Sequence, residues 1–423
     1  MAMRNIYPKA KFTGALVDQR GKSLNVEFYA AIDQAADLHI QIEPVPENAV
    51  TFEFVAHNFG RHRTLHQRLI GTNVSDEFST SDFYLTGRSA SGKPGATVLS
   101  LVGECESATI ISRRDGSFVR PAAICLYTNG FKTFTELQAE TDNATIQMYG
   151  HQLWDKHESP TPGVLTIVDK TGEPSITWFE DSRTTLQHVA RVMSLGLDVY
   201  ISPRLLLEQR SNEDIINVYG TTSSPPSYIP PFKHSELGNL FKHACSMSAV
   251  ERQEFEMFDL PIRWLTAPVQ YDEARHIGAM TALEAILSAT TLPGVAMLER
   301  SSFNALRKKL ATVICENVTD SNLAKLMCKK LPDLNRASLR DKLKDYLQYY
   351  EVPIDDFDPD VLDSVIAARN QVVHTGIGKE KHADIGPYMF VARALVTRMI
   401  LRGAKYRGKV RWTDGATFRY VDL

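Results

Sequence analysis

Residues 221–231 read Thr-Thr-Ser-Ser-Pro-Pro-Ser-Tyr-Ile-Pro-Pro, and no other stretch restricts the fold as strongly. Proline lacks an amide hydrogen and has a locked φ, so four prolines in this span exclude a helix or a central strand. What remains is an extended spacer. The apolar patterning differs on its two sides. Before it, short runs rich in β-branched and aromatic residues recur at 12–17, 24–28, 38–42, 50–55, 97–102, 122–127, 144–149 and 165–168, punctuated by Gly, Asn, Asp and Pro. This predicts an antiparallel β-sandwich or jelly-roll-like domain over 1–220, with 184–195 as its main helical interruption. After it the period lengthens to that of a helix. Ile277, Met280, Ala282, Leu283, Ile286 and Leu287 give 273–289 an apolar face. Further helices are expected at 301–315, 321–330, 336–350, 360–374 and 385–405. The chain therefore reads as an α+β multidomain protein: a β-rich domain over 1–220, a linker over 221–231 and an all-α bundle over 232–423.

Bulk composition removes several function classes. With 43% hydrophobic and 23% charged residues the chain has material for packed cores, and a net charge of −3 excludes a globally basic nucleic-acid coat. Five cysteines, at 105, 125, 245, 315 and 328, form no CxxC pair and no Cys/His cluster with zinc spacing. They read as reduced core thiols, and no metal or cofactor is expected. The first eleven residues lack the apolar core of a signal peptide, and no apolar run reaches the ~18 residues a membrane span needs. A cytoplasmic protein without membrane partners is the expectation.

The segment most suggestive of chemistry is 358–376. Asp358 suits a helix cap, Pro359 the first helical position and Asp360 the positive helix end. Val361, Val365, Ala368 and Val372 make an apolar stripe, and Gly376 is a natural stop. Asn370 and His374, four apart, share a face. Arg369 and His374 are five apart, roughly 140° around a regular helix. The length of the arginine and the helix end near the histidine allow them to converge. A helix C-terminus also favours a protonated imidazole. RNA cleavage needs little more than residues of these types. The 2′-hydroxyl beside the scissile phosphate is an internal nucleophile, His374 can take its proton near neutral pH, and Arg369 can fork onto phosphate oxygens. Arg-x4-His alone discriminates little, since Arg61/His66 and Arg183/His188 repeat it. Only the third instance has Asn after the arginine and an amphipathic helix before it.

Arg369-Asn370-Gln371-Val372-Val373-His374 resembles the Arg-(polar)-x3-His motif of HEPN-domain proteins, helical bundles of which many are metal-independent endoribonucleases in prokaryotic defence. The resemblance spans roughly 240–410. A β-rich domain before such a bundle is similar to the ApeA-like subgroup of anti-phage proteins. The resemblance implies that Arg369 and His374 are catalytic, that Asn370 fills the polar position, that RNA (tRNA included) is the substrate in abortive infection, and that two motifs meet in a homodimer. A phage-derived trigger at the N-terminal domain would then be the regulator. Gly376 stands where toxins silenced by nucleotide addition carry a tyrosine, which argues against that route here. One histidine per chain, where cleavage needs a base and then an acid, is a further reason to expect a two-fold dimer.

Other residues carry alternatives. Glu284, beside the apolar face of 273–289, is a candidate partner for the arginine or an ordinary surface glutamate. Arg393, Arg398, Arg402 and Lys405 fall at helical spacings and form a candidate phosphate-tracking surface, with a solvated helix end as the alternative. Lys308-Lys309 and Lys329-Lys330 read as exposed helix faces. Two further readings stand beside the nuclease: a non-catalytic helical module that binds RNA or protein, and a ligand-binding β-domain carried on a dimerising bundle.

Overall fold

The structure, a computed structural model, describes residues 5–18, 21–45, 67–91, 98–114, 120–133, 136–152, 162–172, 174–220, 230–290, 298–335, 337–358, 360–375, 384–413 and 417–423. They form two compact units. The first runs to Pro230 and includes Leu237–Met247; the second comprises Pro231–Glu236 and Ser248–Leu423. Residues 221–229 of the expected linker, and the expected strand at 50–55, lie outside the described residues.

In the first unit six strands close on themselves: β1 (Tyr7–Val17), β2 (Ser23–Ile32), β3 (Leu38–Pro44), β4 (Gln67–Thr72), β5 (Asp76–Ser91) and β6 (Val98–Cys105). β1 pairs with β2 and β4, β3 with β2 and β6, and β5 with β4 and β6, all antiparallel. β5 then leaves the ring: Asp76–Ser79 also pair with β7 (Ser107–Arg113). From there the sheet opens through β8 (Ala123–Thr128), β10 (Leu137–Glu140), β11 (Ala144–Tyr149), β13 (Gly163–Asp169), β14 (Pro203–Gln209) and β15 (Glu213–Tyr219), in the order β7-β15-β14-β8-β13-β11-β10. β9 (Lys132–Thr133) and β12 (His151–Gln152) make a separate parallel pair. Helix α1 (Ile176–Leu197) packs on β8 and β13, its first turn capped by Ser175, which accepts the Trp178 amide.

The expected sandwich is thus replaced by one continuous 13-stranded sheet, rolled into a barrel at one end and open under a helix at the other. Alternation dictates which side faces in. Along β2, Val26, Phe28, Ala30 and Ile32 are buried, while Asn25, Glu27 and Tyr29 face outward. Inside, Phe12 stacks on Phe28 at 5.0 Å and Phe78 meets Phe28 edge-on at 5.2 Å. Each such ring contributes about 1.5–3 kcal/mol by burial. Gly71 is required here, because a methyl group at its Cα would overlap the Phe28 ring.

Tyr7 donates to the Asp76 carboxylate at 2.7 Å, and Asn73 does so at 3.0 Å. Burial alone would raise the Asp76 pKa, but hydrogen bonds from Asn73, Tyr7, Ser112 and Ser75 outweigh it and hold the carboxyl below its usual range. A carboxyl depressed in the folded state stabilises fully above its unfolded pKa of about 4, and that contribution is lost as pH falls through the folded value. Melting temperature is therefore expected to hold from pH 7 to 5 and to drop below pH 4. Asp76→Asn should flatten that drop; an unchanged acid limb in melts of the variant would remove Asp76 from the account.

In the second unit the helices are α3 (Ala249–Phe255), α4 (Asp259–Leu265), α5 (Asp272–Ala289), α6 (Arg300–Asn317), α7 (Ser321–Lys330), α8 (Leu339–Tyr349), α9 (Val361–Thr375) and α10 (Gly386–Gly403). Helix α2 (His234–Ser246) precedes them, and its buried residues Leu237, Leu240, Phe241 and Ala244 belong to the β-rich unit. Local chemistry sets the helix starts. Ser248 and Glu251 form a capping box, as do Ser338 and Asp341, and Asp320 accepts the Asn322 and Leu323 amides. The expected helices appear within a few residues of their predicted ends, whereas α2–α4 were not anticipated. Nor was the closing hairpin of β16 (Lys409–Thr413) and β17 (Phe418–Asp422). Helix α5 packs against α4 and α10, and α9 against α5 and α10. Among the described residues, no helix is long and apolar enough to cross a membrane.

Candidate active site

Ahead of helix α9 the Asp358 carboxylate accepts the Asp360 amide at 3.0 Å, while Pro359 and Gly376 lie outside the described residues. Its apolar stripe turns inward, with Val365, Ala368 and Val372 buried and Ile385, Ile277 and Tyr388 packed around the lower half. His276 of α5, fully buried, donates through Nε2 to the Val365 carbonyl at 3.2 Å and ties the two helix backbones together. No local pattern signals this role, since a lone histidine on an apolar face looks the same in many settings.

With the stripe inward, the flanking positions 369 and 370 reach the surface. The Arg369 side chain is 31% exposed, and its Nη2 lies 2.9 Å from Oε1 of Glu284 on α5, itself 39% exposed. Its Nη1 donates to Oδ1 of Asn370 at 3.1 Å. Arg369, Asn370 and Glu284 are therefore gathered at one place. Asn370 thus holds the arginine beside it. An exposed ion pair contributes about 0–1 kcal/mol to stability, so the main consequence of this one is orientation. It fixes a guanidinium that remains partly exposed. His374 follows in the last turn of the same unbroken helix, and its imidazole lies outside the described residues. Of the other two Arg-x4-His pairs, Arg61/His66 also lies outside them. Arg183 pairs with buried Glu208, and His188 is 2% exposed beside Met247.

The phosphate-tracking surface expected on the last helix is overturned. Arg398 is fully enclosed: its guanidinium lies bidentate on Asp356 at 2.7 and 2.8 Å, donates to the Pro353 carbonyl and sits 4.2 Å over the Phe357 ring. Arg402 is 7% exposed and donates to the Tyr350 carbonyl and Glu351. Arg393 donates to the Leu265 carbonyl at 2.7 Å. Lys405 is exposed but stands 3.6 Å from Glu251 and 3.9 Å from Glu254. Instead of presenting one free surface, these cations are engaged by carbonyls and carboxylates of the bundle. Asp356, which also accepts the Trp412 indole N–H at 2.7 Å, is the organising residue that sequence reading missed. Burial pushes its pKa up, and the Arg398 hydrogen bonds and charge with the Trp412 contact bring it below the usual range. Tyr406 and Trp412, on the stretch that follows, are buried, whereas Phe418 is exposed. The thiols differ from the expected core set too, since Cys315 is exposed and only Cys245 is fully buried.

No group of three His, Cys, Asp or Glu side chains able to hold a metal occurs among the described residues. The chain matches no protein-family model, no curated protein and no solved structure, so the fold and this arrangement carry the functional reading by themselves.

Proposed function

We propose that the chain is a metal-independent endoribonuclease of the HEPN type, acting as a two-fold homodimer in anti-phage defence, with Arg369 and His374 as its catalytic pair. The observation that carries this reading is the surface guanidinium of Arg369, oriented by Glu284 and Asn370, on the helix that ends in His374. His374 of one subunit takes the 2′-hydroxyl proton, and the freed oxygen attacks phosphorus. The 5′-oxygen then leaves with a proton from the second subunit's histidine. Arg369 stabilises the charge gathered on the phosphate oxygens. The products are a 2′,3′-cyclic phosphate and a 5′-hydroxyl. Cleavage that persists in excess EDTA and leaves these termini is the expected result; other termini, or no cleavage by the dimer, would remove the assignment. The β-rich unit is the proposed receiver of a phage-derived trigger.

Glu284 acts as a positioning residue. Glu284→Gln keeps a hydrogen-bond acceptor but removes the charge, and is expected to lower kcat about tenfold, close to 1.4 kcal/mol, with KM nearly unchanged. A proportional rise in KM instead would mean that Glu284 serves RNA binding.

One observation favours a second reading. A half-exposed ion pair between packed helices, such as Arg369–Glu284, is also what a bundle without chemistry makes. A non-catalytic RNA- or protein-binding module would bind without turnover and ignore replacement of Arg369.

A further inference from the structure

The cations of α10 and its end are engaged within the bundle, yet another part of the second unit carries free ones. Helices α6 and α7 are consecutive, separated by residues 318–320, and bury little: Phe303 is the fully buried side chain of α6 and Ala324 that of α7. Arg300, Arg307, Lys308 and Lys309 on the first, and Lys325, Lys329 and Lys330 on the second, are all exposed. None of the seven lies in an ion pair with a described carboxylate, in contrast to Arg398, Arg402 and Lys405. Residues 299–335 contain these seven basic residues against four acidic ones, within a chain of net charge −3.

We propose that α6 and α7 form the surface that tracks the RNA phosphate backbone, an assignment that rests on the ribonuclease reading. Unpaired cations held on one element repel each other and draw in a counterion atmosphere, and a polyanion that binds there releases it. Lys325 and Lys329 are one helical turn apart, about 6 Å along the axis, so they present charge along a line rather than at a point. Leu306, Val313, Leu323, Leu326 and Met327 are exposed between the charges and offer apolar contact to unstacked bases. An anionic membrane is the competing occupant. Helices that lie on membranes usually bring aromatic anchors to their apolar face, and the one aromatic residue on α6 and α7, Phe303, is turned inward.

The test uses the full-length chain carrying His374→Ala, so that bound RNA is not consumed, and a fluorescein-labelled single-stranded RNA read by anisotropy. Triple reversals Arg307→Glu/Lys308→Glu/Lys309→Glu and Lys325→Glu/Lys329→Glu/Lys330→Glu are each expected to weaken binding tenfold or more. Each should also reduce the slope of log affinity against log salt by about 0.7 per lost phosphate contact. An equal charge change at Lys9, Lys22 and Lys170 in the β-rich unit should leave binding within about twofold. Thermal melts of the variants check that these exposed positions leave the fold intact. Undiminished RNA affinity in both triple variants would overturn the surface, as would co-sedimentation with phosphatidylserine vesicles in place of RNA binding. The outcomes separate the two claims. If the triple variants with His374 intact bind and cut RNA as the parent does, the surface fails and the nuclease stands. If binding depends on α6 and α7 while the protein with His374 intact cuts nothing, the nuclease fails and the surface stands.

Discussion

Replacing His374 by alanine is expected to lower RNA cleavage by the full-length chain about 10²- to 10⁴-fold, the usual contribution of a positioned general base. Arg369→Ala should lose about 10²- to 10³-fold, as removal of a donor to a developing oxyanion does. Neither change should disturb folding. Arg369 is partly exposed and makes one surface ion pair, and position 374 lies in the final turn of α9, beyond the buried Val365, Ala368 and Val372. The decisive control is Arg369→Lys. It keeps the charge and the reach toward Glu284 but loses the fork that grips two phosphate oxygens, so activity should stay well below the parent's. Full activity in His374→Ala would end the nuclease assignment for this site. Full activity in Arg369→Lys alone would reduce the arginine to a point charge.

The second large effect concerns stability. Asp356→Ala leaves the Arg398 guanidinium buried without its carboxylate and is expected to destabilise the second unit by about 3–5 kcal/mol. For a unit of this size that is roughly 6–20 °C in melting temperature. The double variant Asp356→Leu/Arg398→Met should recover much of the loss, because the cost lies in the orphaned charge rather than in the missing pair. Arg398→Met alone tests the discarded surface reading. If Arg398 contacted RNA, affinity would fall with the melting temperature intact; enclosed as it is, the melting temperature should fall first. A loss below 1 kcal/mol for Asp356→Ala in denaturant titrations would show that solvent reaches the pair freely.

Several features of this protein were legible in the residues alone. The switch from short β-branched runs to helical periodicity, and the helices at 273–289, 301–315, 321–330 and 360–374, depend on local backbone chemistry, which a sequence states directly. The grouping of Arg369 with Asn370 was also local. The partnership with Glu284, 85 residues earlier, is legible as a candidate because that glutamate flanks an apolar helix face.

Tertiary structure decided the rest. Strands such as Asp76–Ser91 and Glu213–Tyr219 carry too many polar residues to stand out, and they exist because neighbouring strands satisfy their backbone groups. Closure of six strands into a barrel, where a sandwich was expected, depends on β5 pairing with both β4 and β6, and no local pattern encodes that. The same holds for charge. Arg398 and Lys329 are both cations on helices, and nothing in their neighbourhoods along the chain says that one meets Asp356 in the interior while the other faces water. A sequence specifies which groups carry charge and how often they recur. Whether a charge is available to a ligand depends on what the folded chain places within about 4 Å of it.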